Sequence, residues 1–148
     1  MFVIFLIIVI TFAVSYFYLV KKSDIQIETI AIDNCYPQKQ ACVVNVAGSE
    51  MTISMSDKIY YLKPFYVSIR EKPPSATIIM INVNFKMTNM NMGVNRSKLT
   101  LNDDVWAGKA LLPICVTGRA DWISEVEIQT NNSKTIFSFP ISVDKQIH

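Results

Sequence analysis

Histidine is almost missing from this chain: its one histidine is His148, the last residue. A Ser-His-Asp or Cys-His catalytic arrangement would have to rest on a terminus, where chains fray. Glycine is scarce too, with four scattered residues, so no glycine-rich loop is available to cradle a phosphate. The three cysteines include no C-x-x-C pair, and without a histidine pair beside them zinc has no ligand set. Asp103-Asp104 and Glu125-x-Glu127 are acidic pairs, but no feature marks a cleft that would force their pKa values apart. These absences argue against an enzyme. A net charge of +2 without a basic stripe leaves no footprint for nucleic acid either.

Charge is absent from the first 20 residues; every Lys, Arg, Asp and Glu lies from Lys21 onward. Residues 2–20 read FVIFLIIVITFAVSYFYLV and as a helix would span about 28 Å, close to the hydrocarbon thickness of a bilayer. Tyr16 and Tyr18 fall near one end, where amphipathic rings favour the headgroup region. The sequence thus predicts a transmembrane anchor over 1–20, a linker over 21–24 and one β-domain over 25–148. A buried core helix is one alternative. A cleaved signal peptide is another, because Ala13-Val14-Ser15 is a small-x-small pattern. The lack of a basic n-region and the continuing apolar run speak against cleavage.

Two signals for orientation disagree. Lys21 and Lys22 follow the helix, which by the positive-inside rule puts the domain in the cytoplasm. Cys35 and Cys42 bracket the loop YPQKQA, a spacing suited to a disulfide across a hairpin end, and such bridges persist in oxidising compartments. The cysteines favour a single-pass protein of the inner (cytoplasmic) membrane with its domain facing the periplasm or cell exterior. Cys115 is left over, either a small buried hydrophobe or a thiol kept for chemistry.

Beyond Lys22 short apolar runs alternate with polar turns. Ile25 to Asp33 and Ala41 to Val46 read as a strand pair around the cysteine loop. Met51-x-Ile53-x-Met55 and Phe65-x-Val67-x-Ile69 alternate at period two. In Ile79 to Met87 the residues Ile79, Ile81, Val83, Phe85 and Met87 form an apolar face, and Asn82, Asn84 and Lys86 a wet one. Leu111 to Val116 is another apolar run. Trp122-x-x-x-Val126-x-Ile128 and Phe137-x-Phe139-x-Ile141-x-Val143 pair as a hairpin across Asn131-Asn132-Ser133. About eight short strands with frequent turns predict an all-β fold, an immunoglobulin-like β-sandwich preceded by one transmembrane helix.

The segment Phe85-Lys86-Met87-Thr88-Asn89-Met90-Asn91-Met92-Gly93 holds three thioethers at a strand end. Met87 has inward parity and Met90 and Met92 the opposite, so the strand must break near Thr88-Asn89. Thioethers are soft ligands suited to Cu(I); the plainer reading is that flexible Met side chains plug the end of the core. Met90 and Met92 would be the first copper ligands, with Met87 joining if the strand turns and Cys115 a fourth from a neighbouring segment. Arg119 and Asp121 read either as a pair bracing a turn, with Trp122 in the core, or, with Arg96, as a rim where a partner docks.

The run from Ile79 through Met87, Met90, Met92, Gly93 and Asn95-Arg96 resembles the FixH/YtkA-like group of membrane-anchored periplasmic β-sandwich proteins. The match continues more loosely through Trp106-x-Gly108, Leu112-Pro113-x-Cys115 and Gly118-Arg119-x-Asp121-Trp122. Thr88-Asn89 stands where that group has Pro and Gly, and its histidines are missing here. The resemblance implies a copper-handling accessory protein holding Cu(I) for delivery or oxidase assembly, with a membrane-bound copper acceptor as partner. The alternative is a metal-free envelope interaction or scaffolding module that works through one face or edge of the sandwich.

Overall fold

The computed structural model describes residues 2–20, 25–74, 77–90, 93–115 and 118–144. Helix α1, Phe2–Val20, is an apolar stretch that no glycine or proline interrupts. Among the described residues no helix is long and apolar enough to cross a membrane. This corrects the expected transmembrane anchor over 1–20, and with it the single-pass inner-membrane placement and the outward-facing domain. The expected linker over 21–24 lies outside the described residues.

Among the described residues ten strands follow: β1 (Gln26–Ala31), β2 (Cys42–Val46), β3 (Ser49–Met55), β4 (Phe65–Lys72), β5 (Ile78–Met87), β6 (Arg96–Lys98), β7 (Thr100–Asn102), β8 (Val105–Ala110), β9 (Trp122–Thr130) and β10 (Ser133–Ile141). They make two five-stranded sheets, A in the order β1-β10-β9-β5-β6 and B in the order β2-β3-β4-β8-β7. The β1–β10 pair is parallel; the other named pairs are antiparallel. The result is an all-β, two-sheet fold consistent with a β-sandwich.

Period-two alternation explains the core. Met51, Ile53 and Met55 on β3, Val67 and Ile69 on β4, Val126 and Ile128 on β9, and Phe137 and Phe139 on β10 are all buried, because successive side chains of a strand point to opposite faces. The inner faces meet where Phe65 on β4 and Phe85 on β5 pack edge-to-face, ring centroids 5.4 Å apart. Gly108 on β8 admits the chain passing from β6 to β7. A Cβ there would come within 2.8 Å of Leu99 Cδ2 and 3.2 Å of the Lys98 carbonyl.

Three strand expectations change. Ile25 to Asp33 and Ala41 to Val46 do not form a hairpin: β1 lies parallel to β10 in sheet A, while β2 pairs with β3 in sheet B. All of β1 is exposed except half-buried Ile30, so it has no apolar face to seat on β2 and adds instead to the edge of β10 through its backbone. Ile79 is 52% exposed and Ile78 7%, because a register shift between Ile78 and Met80 resets the parity of β5. The run starting at Leu111 forms no strand over its described part; Leu112 makes one isolated bridge, to Tyr61.

Candidate functional site

The methionine turn is the site to which the sequence drew most attention. β5 ends at Met87, which is 2% exposed and belongs to the core. Asn89 takes a left-handed φ of 58°, and Met90 N–H reaches back to the Met87 carbonyl at 3.4 Å. The strand therefore turns where the parity change required it. Met90 packs half-buried against the core, its Sδ 3.9 Å from Sγ of the buried Cys115. Met92 lies outside the described residues.

A carrier that delivers Cu(I) needs an exposed, under-coordinated site, which a partner's ligand can enter as the donor's leaves. Met87 instead faces the core interior, and Met90 and Cys115 close the end of the same core. Among the described residues there is also no group of three or more His, Cys, Asp or Glu side chains placed to hold a metal ion. The expected copper-delivery function is corrected on these grounds; Met87 and Cys115 are buried in the core, and Met90 packs against it.

A polar brace surrounds this turn. The Arg119 guanidinium donates to both carboxylate oxygens of Asp121, the Nε bond measuring 2.9 Å. It also donates to the Thr88 carbonyl at 3.0 Å. Tyr61 O–H donates to the Arg119 carbonyl at 3.0 Å, and Trp122 Nε1–H donates to the Tyr61 oxygen at 3.3 Å. Trp122 itself is 1% exposed. Of the two readings the sequence offered for Arg119, this geometry is the structural one: one arginine ties the methionine turn to the loop ahead of β9. The bonds from Arg119, and then its charge, hold the Asp121 carboxyl below the usual aspartate range, while Asp121 holds Arg119 above its ordinary value.

The outer face of sheet A carries a second polar set. Glu127, on β9, is 6% exposed although it points away from the core. Arg96 Nη2 lies 3.2 Å from its carboxylate and Lys134 Nζ 3.0 Å, and Asn82 Nδ2 donates to it at 3.4 Å. One strand step along, Glu125 accepts from Lys86 at 2.5 Å and from Asn84 at 3.2 Å. These cations cover the carboxylates, which is why Asn82, expected on a wet face, is buried. Arg96, the other arginine considered as a rim anchor, is thus occupied within its own sheet.

An open groove of about 610 Å³ crosses the end of this face, with Asp33, Tyr36, Lys86, Asp121 and Pro140 among its walls. Lys86 is paired with Glu125 and Asp121 with Arg119. The groove therefore offers little convergent polar capacity to orient a small ligand.

Sequence reasoning passed over a backbone feature. β2 and β3 are joined by Ala47-Gly48, with φ of 50° and 85°, the doubly left-handed two-residue turn that suits a hairpin. In such a hairpin the pair flanking the turn, Val46 and Ser49, exchanges hydrogen bonds, and bonded and non-bonded pairs then alternate. Val44 and Cys42 therefore bond to β3, while the N–H and C=O of Val43 and Asn45 point away from it. β2 ends sheet B, and among the described residues no strand pairs with its outer side. Its sequence CVVNV has no charge and no proline, and its register with β3 is unbroken. It lacks the usual devices that blunt an edge. β1 carries Glu28, and β6 and β7 are three residues each.

Comparison with models of protein families, with curated proteins and with solved structures gave no match. The chain is described by its fold: an all-β, two-sheet domain following an apolar helix. Its particular surface features are a braced turn, a neutralised outer face on sheet A and an unblocked edge on sheet B.

Proposed function

We propose that the chain is a metal-free interaction module that docks a protein partner along the β2 edge of sheet B. The observation that carries this reading is the outward backbone of Val43 and Asn45 on a strand without charge, proline or bulge. Strand addition uses just such main-chain groups for affinity and the alternate side chains for selectivity. Val43 is 55% exposed, which supplies an apolar contact beside those groups. The neutralised face of sheet A offers less to a partner, because its charges are satisfied within the sheet.

The test is a photo-cross-linking residue at position 45 of the full chain, in the cells that make it. Position 66 is the control, since Tyr66 is 60% exposed but sits on β4, between β3 and β8. A discrete adduct from position 45 and none from position 66 is the expected result. Equal labelling from both positions, or no adduct from position 45, removes the edge as a docking element.

A further inference from the structure

The occupant that fits this edge best is a second copy of the same edge. We infer that two chains pair antiparallel through β2, joining their B sheets into one ten-stranded sheet about a two-fold axis at Val44. The inference rests on the edge-docking reading above and names its partner.

Register is the first argument. Each β2 offers outward N–H and C=O groups at Val43 and Asn45, and the strand is five residues long. An antiparallel partner satisfies both residues at once only when Val43 of one copy faces Asn45 of the other. Two-fold symmetry then forms the same bonded pair twice, which is the self-complementarity an isologous interface demands. The edge is short at both ends. On one side lies the Ala47-Gly48 turn; on the other the chain coils at Tyr36, whose carbonyl accepts from the N–H groups of Lys39 and Gln40. A copy of β2 has the same length and the same stops.

Side chains are the second argument. Val44 is 5% exposed and faces its own core, so at the axis the two Val44 side chains meet on the inner side and the cores become continuous. On the outer face each row can be followed from one copy into the other. In one copy Asn45 is paired with Glu50, and Glu50 with Lys72. In the other Val43 is paired with Thr52, and Thr52 with Arg70. Across the junction the nearest charges in a row are therefore Glu50 of one copy and Arg70 of the other, four strand spacings or about 19 Å apart, so no like charges face each other at close range. Nothing charged lies at the junction itself to repel the approach.

The full chain should show concentration-dependent dimerisation by sedimentation equilibrium. Val43→Pro, which removes an outward N–H that its own sheet does not use, should weaken association at least about tenfold. The double variant Val43→Lys/Asn45→Glu places opposite charges in each facing pair and should dimerise as tightly as the parent chain or more tightly. Because that variant leaves the backbone donors intact, it decides the question even if Val43→Pro fails to fold. A chain that stays monomeric up to about 1 mM overturns the inference. So does a dimer that Val43→Pro, correctly folded, leaves unchanged, since the contact then lies elsewhere, or a double variant that dimerises less than the parent chain. If the chain is monomeric but position 45 still cross-links to a different protein, edge docking stands and self-pairing falls. If position 45 cross-links to nothing, both fall.

Discussion

Cys35 and Cys42 are joined by a disulfide with their Cα atoms 5.9 Å apart, and the bridge closes the passage from sheet A to sheet B. β1 lies ahead of it in one sheet and β2 follows it in the other. The bridge thus holds together the point where the chain changes layers. Closing a loop of this length stabilises a protein by about 2–3 kcal/mol through the entropy of its unfolded state. Cys35→Ser/Cys42→Ser should lose about that much in denaturant unfolding. A loss below about 0.5 kcal/mol would show that the crossover is held by other contacts.

Met87 separates core packing from any ligand role. At 2% exposure its truncation leaves a cavity, and Met87→Ala should cost about 2–5 kcal/mol, comparable with about 3–5 kcal/mol for Phe139→Ala. Met87→Leu keeps the volume and should cost less than about 1.5 kcal/mol. Thermal unfolding of the three variants checks the order. Met87→Ala melting with the parent chain would mean that this side chain is not part of the core.

Asp121 provides the pH signature. Its carboxyl is held low by the Arg119 hydrogen bonds and charge. A depressed folded-state pKa means that the pair's stabilisation is present above the usual aspartate range. It is lost as pH falls through the lowered value. An NMR titration should give Asp121 a midpoint below that of an ordinary aspartate, and Arg119→Gln should move it upward. An unchanged midpoint in the variant would dissolve the brace. Both groups are exposed, so the effect on global stability should be small and salt-sensitive.

Gly108 should not tolerate a methyl group. The Cβ of Gly108→Ala would press on Leu99 Cδ2 at 2.8 Å and on the Lys98 carbonyl at 3.2 Å. Leu99 is 1% exposed, so it has little room to yield, and a cost of about 1–3 kcal/mol is expected. Combining the change with Leu99→Ala should relieve part of the strain, giving a coupling that a double-mutant cycle can measure. Additive costs would show that the two positions do not touch.

The alternating residues of β3, β4, β9 and β10 could be placed from the sequence because a strand with one face in a core writes that face into every second position. The break after Met87 could be placed for the same reason, since Met90 has the wrong parity to continue the strand. The disulfided loop was visible as spacing. What stood beside each strand was not, and neither was the brace from Arg119 to Thr88, whose partners are 31 residues apart. Ile79 was misplaced because a bulge changes parity without leaving a mark in composition. Asn82 was misjudged because the groups that cover it come from other strands.

What the sequence determined by itself is the all-β character and the identity of most core side chains, since both follow from local hydrophobic period. Tertiary structure decided that β1 leaves β2 for β10, that Met87 lies buried in the core, and that β2 ends its sheet with no strand on its outer side among the described residues. Each of these depends on which backbone supplies the neighbouring hydrogen bonds. That choice is made between segments as far apart as residues 26–31 and 133–138, where no local pattern reaches.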